Sequence, residues 1–142
     1  MEARGWRRPK EVFLSHATRD RRFVHRLARV LTDHGVAFWF SRIHLVGAQQ
    51  WHDEIGAALN RCDWFILVVT PAAARSVWVK RELTRALNQS RYEERIIPLI
   101  LKQCPLERLS WTLDGFQHID FTGDFSKACR ELLRVWGIKL KS

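Results

Sequence analysis

Trp64-Phe65-Ile66-Leu67-Val68-Val69, closed by Thr70-Pro71, decides the architecture. An unbroken apolar row suits a strand buried on both faces, the position of a central strand in a parallel sheet. Outward from it, extended and helical patterns alternate. Upstream, Glu11 to Ser15 is a short apolar run ending in a polar stretch, and Val36 to Phe40 is another. Between them, Asp20 to His34 carries Phe23, Val24, Leu27, Val30 and Leu31 as a helical stripe, with Asp20 placed to cap its start and Gly35 to end it. Ser41 to Gln50 is a loop containing Gly47, and Trp51 to Leu59 a short helix. Downstream, Ser76 is placed to cap a helix running to about Gln89, seated by Val77 and Leu83. Arg95 to Leu101 reads as a fourth strand, in which Pro98 is a blemish because proline lacks the amide donor. Lys102 to Phe116 is an irregular connection, Gln117 to Phe121 a weak fifth strand, and Gly123 to Val135 a last helix.

Five strands separated by helices imply right-handed crossovers and a parallel sheet covered on both sides. The expected class is therefore α/β, a flavodoxin-like three-layer sandwich with strand order 2-1-3-4-5. In such a sheet a ligand sits beyond the carboxyl ends of the strands, where the order reverses between strands 1 and 3. The loops after Ser15, Phe40 and Val69 are expected to converge there. A chain of 142 residues and 16.8 kDa makes one domain, 10–142, behind a basic segment, 1–9. With 46% hydrophobic and 27% charged residues, the composition is that of an ordinary globular domain. The longest apolar run falls far short of the ~20 residues that span a bilayer. Met1 to Lys10 has no apolar core of a secretory signal. Cys62, Cys104 and Cys129 are odd in number and widely spaced, which reads as buried thiols in a reducing compartment rather than a disulfide framework or a zinc site. Together these features point to the cytoplasm, with no membrane partner.

Lys and Arg number 24 against 15 Asp and Glu, a net charge of +9. Anionic partners follow as a question. The only basic clusters are Arg4 to Lys10 and Arg19 to Arg22, and the rest of the charge lies scattered on polar helix faces, as on a solvated surface. A nucleic-acid-binding module lacks a stacking platform of aromatic and basic residues, so nucleic acid is not the expected partner. The sequence has no GxxxxGK[ST] and no GxGxxG after the first strand, which excludes a P-loop and a dinucleotide fingerprint. Ser15-His16-Ala17-Thr18 carries no carboxylate for the divalent cation of a phospho-acceptor domain. His52-Asp53-Glu54 are adjacent on a helix and point apart, so no metal is expected.

One carboxylate remains with a distinctive setting. Trp78 and Glu82 are four apart on the helix after the central strand, so indole and carboxylate share a face. Arg75, Lys80, Arg81 and Arg85 stay available to solvent or to anions. By spacing alone, Trp78 packs on the sheet and Glu82 pairs with Arg81 or Arg85. Trp39 reads as sheet packing.

These residues resemble a family. Val12-Phe13-Leu14-Ser15-His16-Ala17 followed by Asp20 is similar to the first signature box of TIR (Toll/interleukin-1 receptor) domains. Gly47, Trp51 and Glu54-Ile55 resemble the end of their BB loop and the helix after it, with Trp51 closing the loop end. Val68-Val69-Thr70-Pro71, Ser76-Val77-Trp78 and Glu82-Leu83 resemble the central strand and the Ser-x-Trp-x-x-x-Glu-Leu segment. Ile97-Pro98-Leu99-Ile100 resembles the fourth strand, where the family usually carries a proline. Four boxes in order span residues 10 to 138, and they look more like bacterial TIR domains than receptor adaptors. One departure stands out: many members carry an acid just after the second strand, and here the stretch reads Phe40-Ser41-Arg42.

The resemblance implies an enzyme that cleaves the nicotinamide–ribose bond of NAD+, giving nicotinamide and ADP-ribose or a cyclic isomer. NAD+ would be the substrate, with no cofactor. The family's catalytic glutamate falls on Glu82. Ser15, His16, Ala17, Arg19, Ser41 and Trp78 would bind substrate. The BB loop residues Arg42, Ile43, His44, Leu45, Val46 and Gly47 would mediate head-to-tail assembly with other copies. The setting implied is bacterial defence against phage, with a downstream effector that senses the product. A non-catalytic TIR scaffold that recruits other TIR domains is the alternative.

Overall fold

The computed structural model describes residues 8–40 and 48–141, with the side chains of 48–52 outside that description. Its centre is β3, Trp64–Val69, buried along its whole length. β1 (Val12–Ser15) and β4 (Ile96–Ile100) flank it, and β2 (Phe38–Phe40) and β5 (Ile119–Asp120) form the edges. All pairings are parallel, in the order β2-β1-β3-β4-β5, the doubly wound arrangement expected from the sequence.

The two-residue period of the strands divides the core into two layers. Phe13, Phe65, Leu67 and Val69 face α2 (Ala48–Arg61), α3 (Pro71–Arg75) and α4 (Val77–Leu87). Val12, Leu14, Trp64, Ile66 and Val68 face α1 (Arg21–Asp33) and α5 (Phe125–Val135). Trp39 packs against Phe13 with ring centroids 5.0 Å apart, the sheet-packing role expected of it.

Pro98 sits inside β4, paired with Leu67 on β3, without weakening that pairing. Leu101 donates its amide to Val69 on β3, and Ile100 gives its carbonyl to Phe121 on the β5 side. Backbone direction alternates along a strand, so the missing amide at 98 faces β5, which pairs only with Leu99 and Ile100. Proline therefore costs the sheet no bond to β3.

Several boundaries shift for physical reasons. α2 begins at Ala48 rather than Trp51, because Ala48-Gln49-Gln50 are good helix formers that extend it by almost a turn. α3 was not anticipated, although Thr70 caps it by accepting the Ala73 amide at 3.0 Å and Pro71 fits its first turn. Asp20 occupies the N-cap position of α1 but makes no side-chain cap there. Gly35 and Gly137 end α1 and α5 at φ +74° and +71°, donating to Thr32 and Arg134, while Val36 and Ile138 donate to Leu31 and Leu133, one residue further back.

The three cysteines are buried free thiols. Burial pushes the Cys62 thiol up to about 12 and Cys129 up to about 11. A raised thiol pKa lowers the thiolate fraction, and thiolate is the form that alkylates. Native protein at pH 8 is thus expected to leave both positions unmodified by iodoacetamide, with rapid labelling only after unfolding. Peptide mapping that finds either one labelled quickly in the native state contradicts this.

Candidate functional site

α4 brings the candidate carboxylate into place. Ser76 caps the helix by accepting the Val79 amide at 3.2 Å. Val79, Leu83 and Ala86 turn toward the sheet, and Trp78 packs half-buried on the same core. Glu82 lies among these apolar positions with 2% of its surface exposed. A carboxylate withdrawn from water is costly unless it is hydrogen-bonded. Its donor is the Ser15 hydroxyl, 2.7 Å from Oε1. The two local candidates point elsewhere: the Arg81 guanidinium stands 5.5 Å from the Trp78 ring centroid, and Arg85 lies over Gly56, where a Cβ would come within 3.3 Å of it.

Ser15 is the last residue of β1, opposite Leu67 of β3, and it is fully buried. In the isolated chain its hydroxyl meets Glu82, itself almost as buried, and does not line the neighbouring cleft. Val77 departs from expectation. It is 58% exposed, since the first residue of α4 lies across the helix from Val79 and Leu83, so the helix is seated by Val79, Leu83 and Ala86 without it. Ser15→Ala is expected to lower stability by about 1–3 kcal/mol, the cost of taking a hydrogen bond from a buried polar group. A urea midpoint identical to wild type contradicts the geometry described.

Between α2 and α4 lies a cleft of about 410 Å³, lined among the described residues by Ile55, Val77, Trp78, Arg81, Glu82 and Arg85, with others. One carboxylate at its floor stands beneath a basic rim. A larger cavity of about 530 Å³ opens at the opposite edge, where Trp64, Ile96 and Ile119 begin their strands. Ligands of doubly wound sheets bind at the carboxyl ends, which favours the smaller cleft as the site.

The loop after β1 is tightly built. His16 is half-buried, its ring edge-on to Phe40 at 5.7 Å, and its Nδ1 is sealed without a hydrogen-bond partner among the described residues. Burial holds its pKa below the ordinary histidine value, against an opposing pull from the Leu14 backbone and Asp20. Ala17 is buried and its carbonyl accepts the Asp20 amide at 2.9 Å; Arg19 is exposed. The buried Asp20 carboxylate accepts the Thr70 hydroxyl at 2.7 Å. The loops after β1 and β3 thus meet, as expected of the switch point. Ser41, Arg42, Ile43, His44, Leu45, Val46 and Gly47 lie outside the described residues, as does the Trp51 side chain. The sequence reading missed the Asp20–Thr70 pair by treating Asp20 as a helix cap. The signal was present in Thr70-Pro71, a cap-and-first-turn pair that fixes the Thr70 hydroxyl at the end of β3. Among the described residues no group of three or more His, Cys, Asp and Glu could hold a metal ion.

Strand order, and the buried Ser15–Glu82 pair at the carboxyl end of β1 beside the cleft between α2 and α4, define a doubly wound α/β domain with a candidate site near that edge. The model of the TIR domain family matches residues 12–133, and the chain belongs to that family. Solved structures share the fold. The TIR domain of the Toll-related receptor TRR-2 from Hydra magnipapillata is 20% identical with a TM-score of 0.69, covering 87% of this chain and 94% of its own. The TIR domains of the activated Roq1 resistosome, which directly recognises the pathogen effector XopQ, are 19% identical with a TM-score of 0.69, covering 87% and 97%. The RPS4 and RRS1 TIR domain heterodimer is 16% identical with a TM-score of 0.63, covering 88% and 94%. No curated protein matches the sequence. Among the described residues no helix is long and apolar enough to cross a membrane.

Proposed function

We propose that this TIR domain is an NAD+ glycohydrolase in which Glu82 stabilises the departing sugar cation. The observation that carries the reading is a carboxylate that lines the cleft between α2 and α4 and is held by the Ser15 hydroxyl from the carboxyl end of β1. In NAD+ the bond between ribose C1′ and the pyridinium nitrogen breaks, and its electron pair stays on nitrogen. Nicotinamide leaves neutral, so no acid has to protonate it. The sugar becomes oxocarbenium-like, and a negative group beside it lowers the barrier. Water then bonds to C1′ and gives up a proton, yielding ADP-ribose; a ring nitrogen of the adenine in the same molecule yields a cyclic isomer. Ordinary glycosidases need two carboxylates because an alkoxide must be protonated as it leaves, and here one is enough. Arg81 and Arg85 at the rim suit the pyrophosphate, and Trp78 gives a wall for ribose or base. His16, Ala17, Arg19 and Ser41 are assigned to the substrate's surroundings.

Glu82 lines the cleft with only 2% of its surface exposed, so the cleft has to open further before substrate reaches the carboxylate. Self-association through residues 42–47 is the proposed trigger, and the neighbouring folds that occur as a resistosome and a heterodimer support it. The same low exposure favours a second reading, a non-catalytic scaffold that pairs with other TIR domains. The biological setting proposed is bacterial immune signalling against phage, with an effector that senses the product. Nicotinamide release per mole of protein is expected to rise steeply with protein concentration. A constant value across dilutions contradicts activation by assembly, and no release even from concentrated protein favours the scaffold.

A further inference from the structure

The Ser15–Glu82 bond has a counterpart. Asp20 lies five residues after Ser15, and Thr70 twelve before Glu82. Its carboxylate, 5% exposed, accepts the Thr70 hydroxyl at 2.7 Å, and the same Thr70 oxygen accepts the Ala73 amide at 3.0 Å. Thr70 thereby starts α3, whose end is the Ser76 cap of α4, the helix that carries Glu82. On the other branch, Ser15 runs through His16 and the buried Ala17 into the short turn Thr18–Asp20, closed by the Asp20 amide on the Ala17 carbonyl. Two hydrogen bonds, Ser15–Glu82 and Asp20–Thr70, therefore close one ring across the gap between β1 and β3.

Burying a carboxylate against one hydroxyl is a poor route to stability, since desolvation offsets much of what the bond returns. A helix cap in its place would have left Asp20 at the surface, and the fold does not use it so. We infer that Asp20 and Thr70 are positioning residues that fix the distance between the β1 loop and α4, and so the aim of the Glu82 carboxylate into the cleft. The inference rests on the reading of Glu82 as the charge-stabilising group. A displacement of about 1 Å at such a group costs on the order of a hundredfold in rate.

Four variants of the full chain test it. Asp20→Ala and Thr70→Val break the pair, whereas Asp20→Asn keeps an acceptor oxygen and Thr70→Ser keeps the hydroxyl. With concentrated protein well below each variant's Tm, the two breaking variants are expected to lose about ten- to a hundredfold in kcat for nicotinamide release, with KM for NAD+ within about twofold of wild type. The two conservative variants should stay close to wild type, and the double breaking variant should be no worse than either single one. Amide hydrogen exchange should quicken at Ala73 in Asp20→Ala and at His16 and Ala17 in Thr70→Val, each change felt in the partner loop. Unchanged kcat in the breaking variants, or equal loss in breaking and conservative variants, overturns the inference. If wild type releases no nicotinamide, the proposed reaction fails and exchange alone judges the pair: quickening across the ring supports it, and exchange confined to the mutated loop overturns it. Should Asp20→Ala fail to fold, Asp20→Leu against Asp20→Asn carries the same comparison, since Thr70→Val also removes the cap on the Ala73 amide.

Discussion

Glu82→Gln is expected to lower nicotinamide release from NAD+ by about a hundredfold or more while leaving the fold intact. The substitution keeps the volume of the side chain and an oxygen that accepts the Ser15 hydroxyl, the contact seen at 2.7 Å. What it removes is the negative charge, the one property the oxocarbenium-like sugar needs from position 82. Stability should change little, because a neutral amide is easier to bury than a carboxylate at 2% exposure. Chromatography of released nicotinamide, beside circular dichroism and a thermal melt, separates the two effects. Activity within a few-fold of wild type in a well-folded variant contradicts the assignment.

Phe65→Ala is expected to cost about 3–5 kcal/mol, the range for deleting a buried aromatic ring. The ring is fully buried near the start of β3. It stacks on Phe13 at 5.2 Å and meets the edge of Tyr92 at 6.1 Å. Tyr92 in turn donates its hydroxyl to the carbonyls of Leu59 at 2.6 Å and Cys62 at 3.1 Å, tying the end of α2 to the same cluster. The cavity left behind would lie in the layer that seats α2 and α4, so little of it can close by local collapse. Equilibrium denaturation in urea measures the loss, and a change below about 1 kcal/mol contradicts the packing described.

The sequence disclosed the fold where burial is two-sided. The row Trp64 to Val69 could be read directly, because a strand covered on both faces needs no alternation. Pro98 looked like an objection only because a sequence does not say which neighbour an amide faces. Its missing donor points to β5, where pairing is confined to two residues. The site was legible in part. Helical spacing puts Trp78 and Glu82 on one face, and the family resemblance singles out Glu82, but the Ser15 hydroxyl that binds it comes from a strand 67 residues away, and no local pattern announces a contact of that range. Asp20 misled for the opposite reason: its position fits a helix cap, and only the tertiary structure shows its carboxylate turned to Thr70. Val77 was read as core from its chemistry, yet the phase of α4 sends it to the cleft side.

The most direct test is a structure of the assembled protein with a carbocyclic NAD+ analogue that binds but does not cleave. The account predicts the nicotinamide-bearing ring in the cleft between α2 and α4, its reacting carbon within about 4 Å of a Glu82 oxygen, with the Ser15 hydroxyl still on the other side of that carboxylate. An analogue bound with its reacting carbon remote from Glu82, or a carboxylate that stays sealed while the cleft is filled, contradicts it.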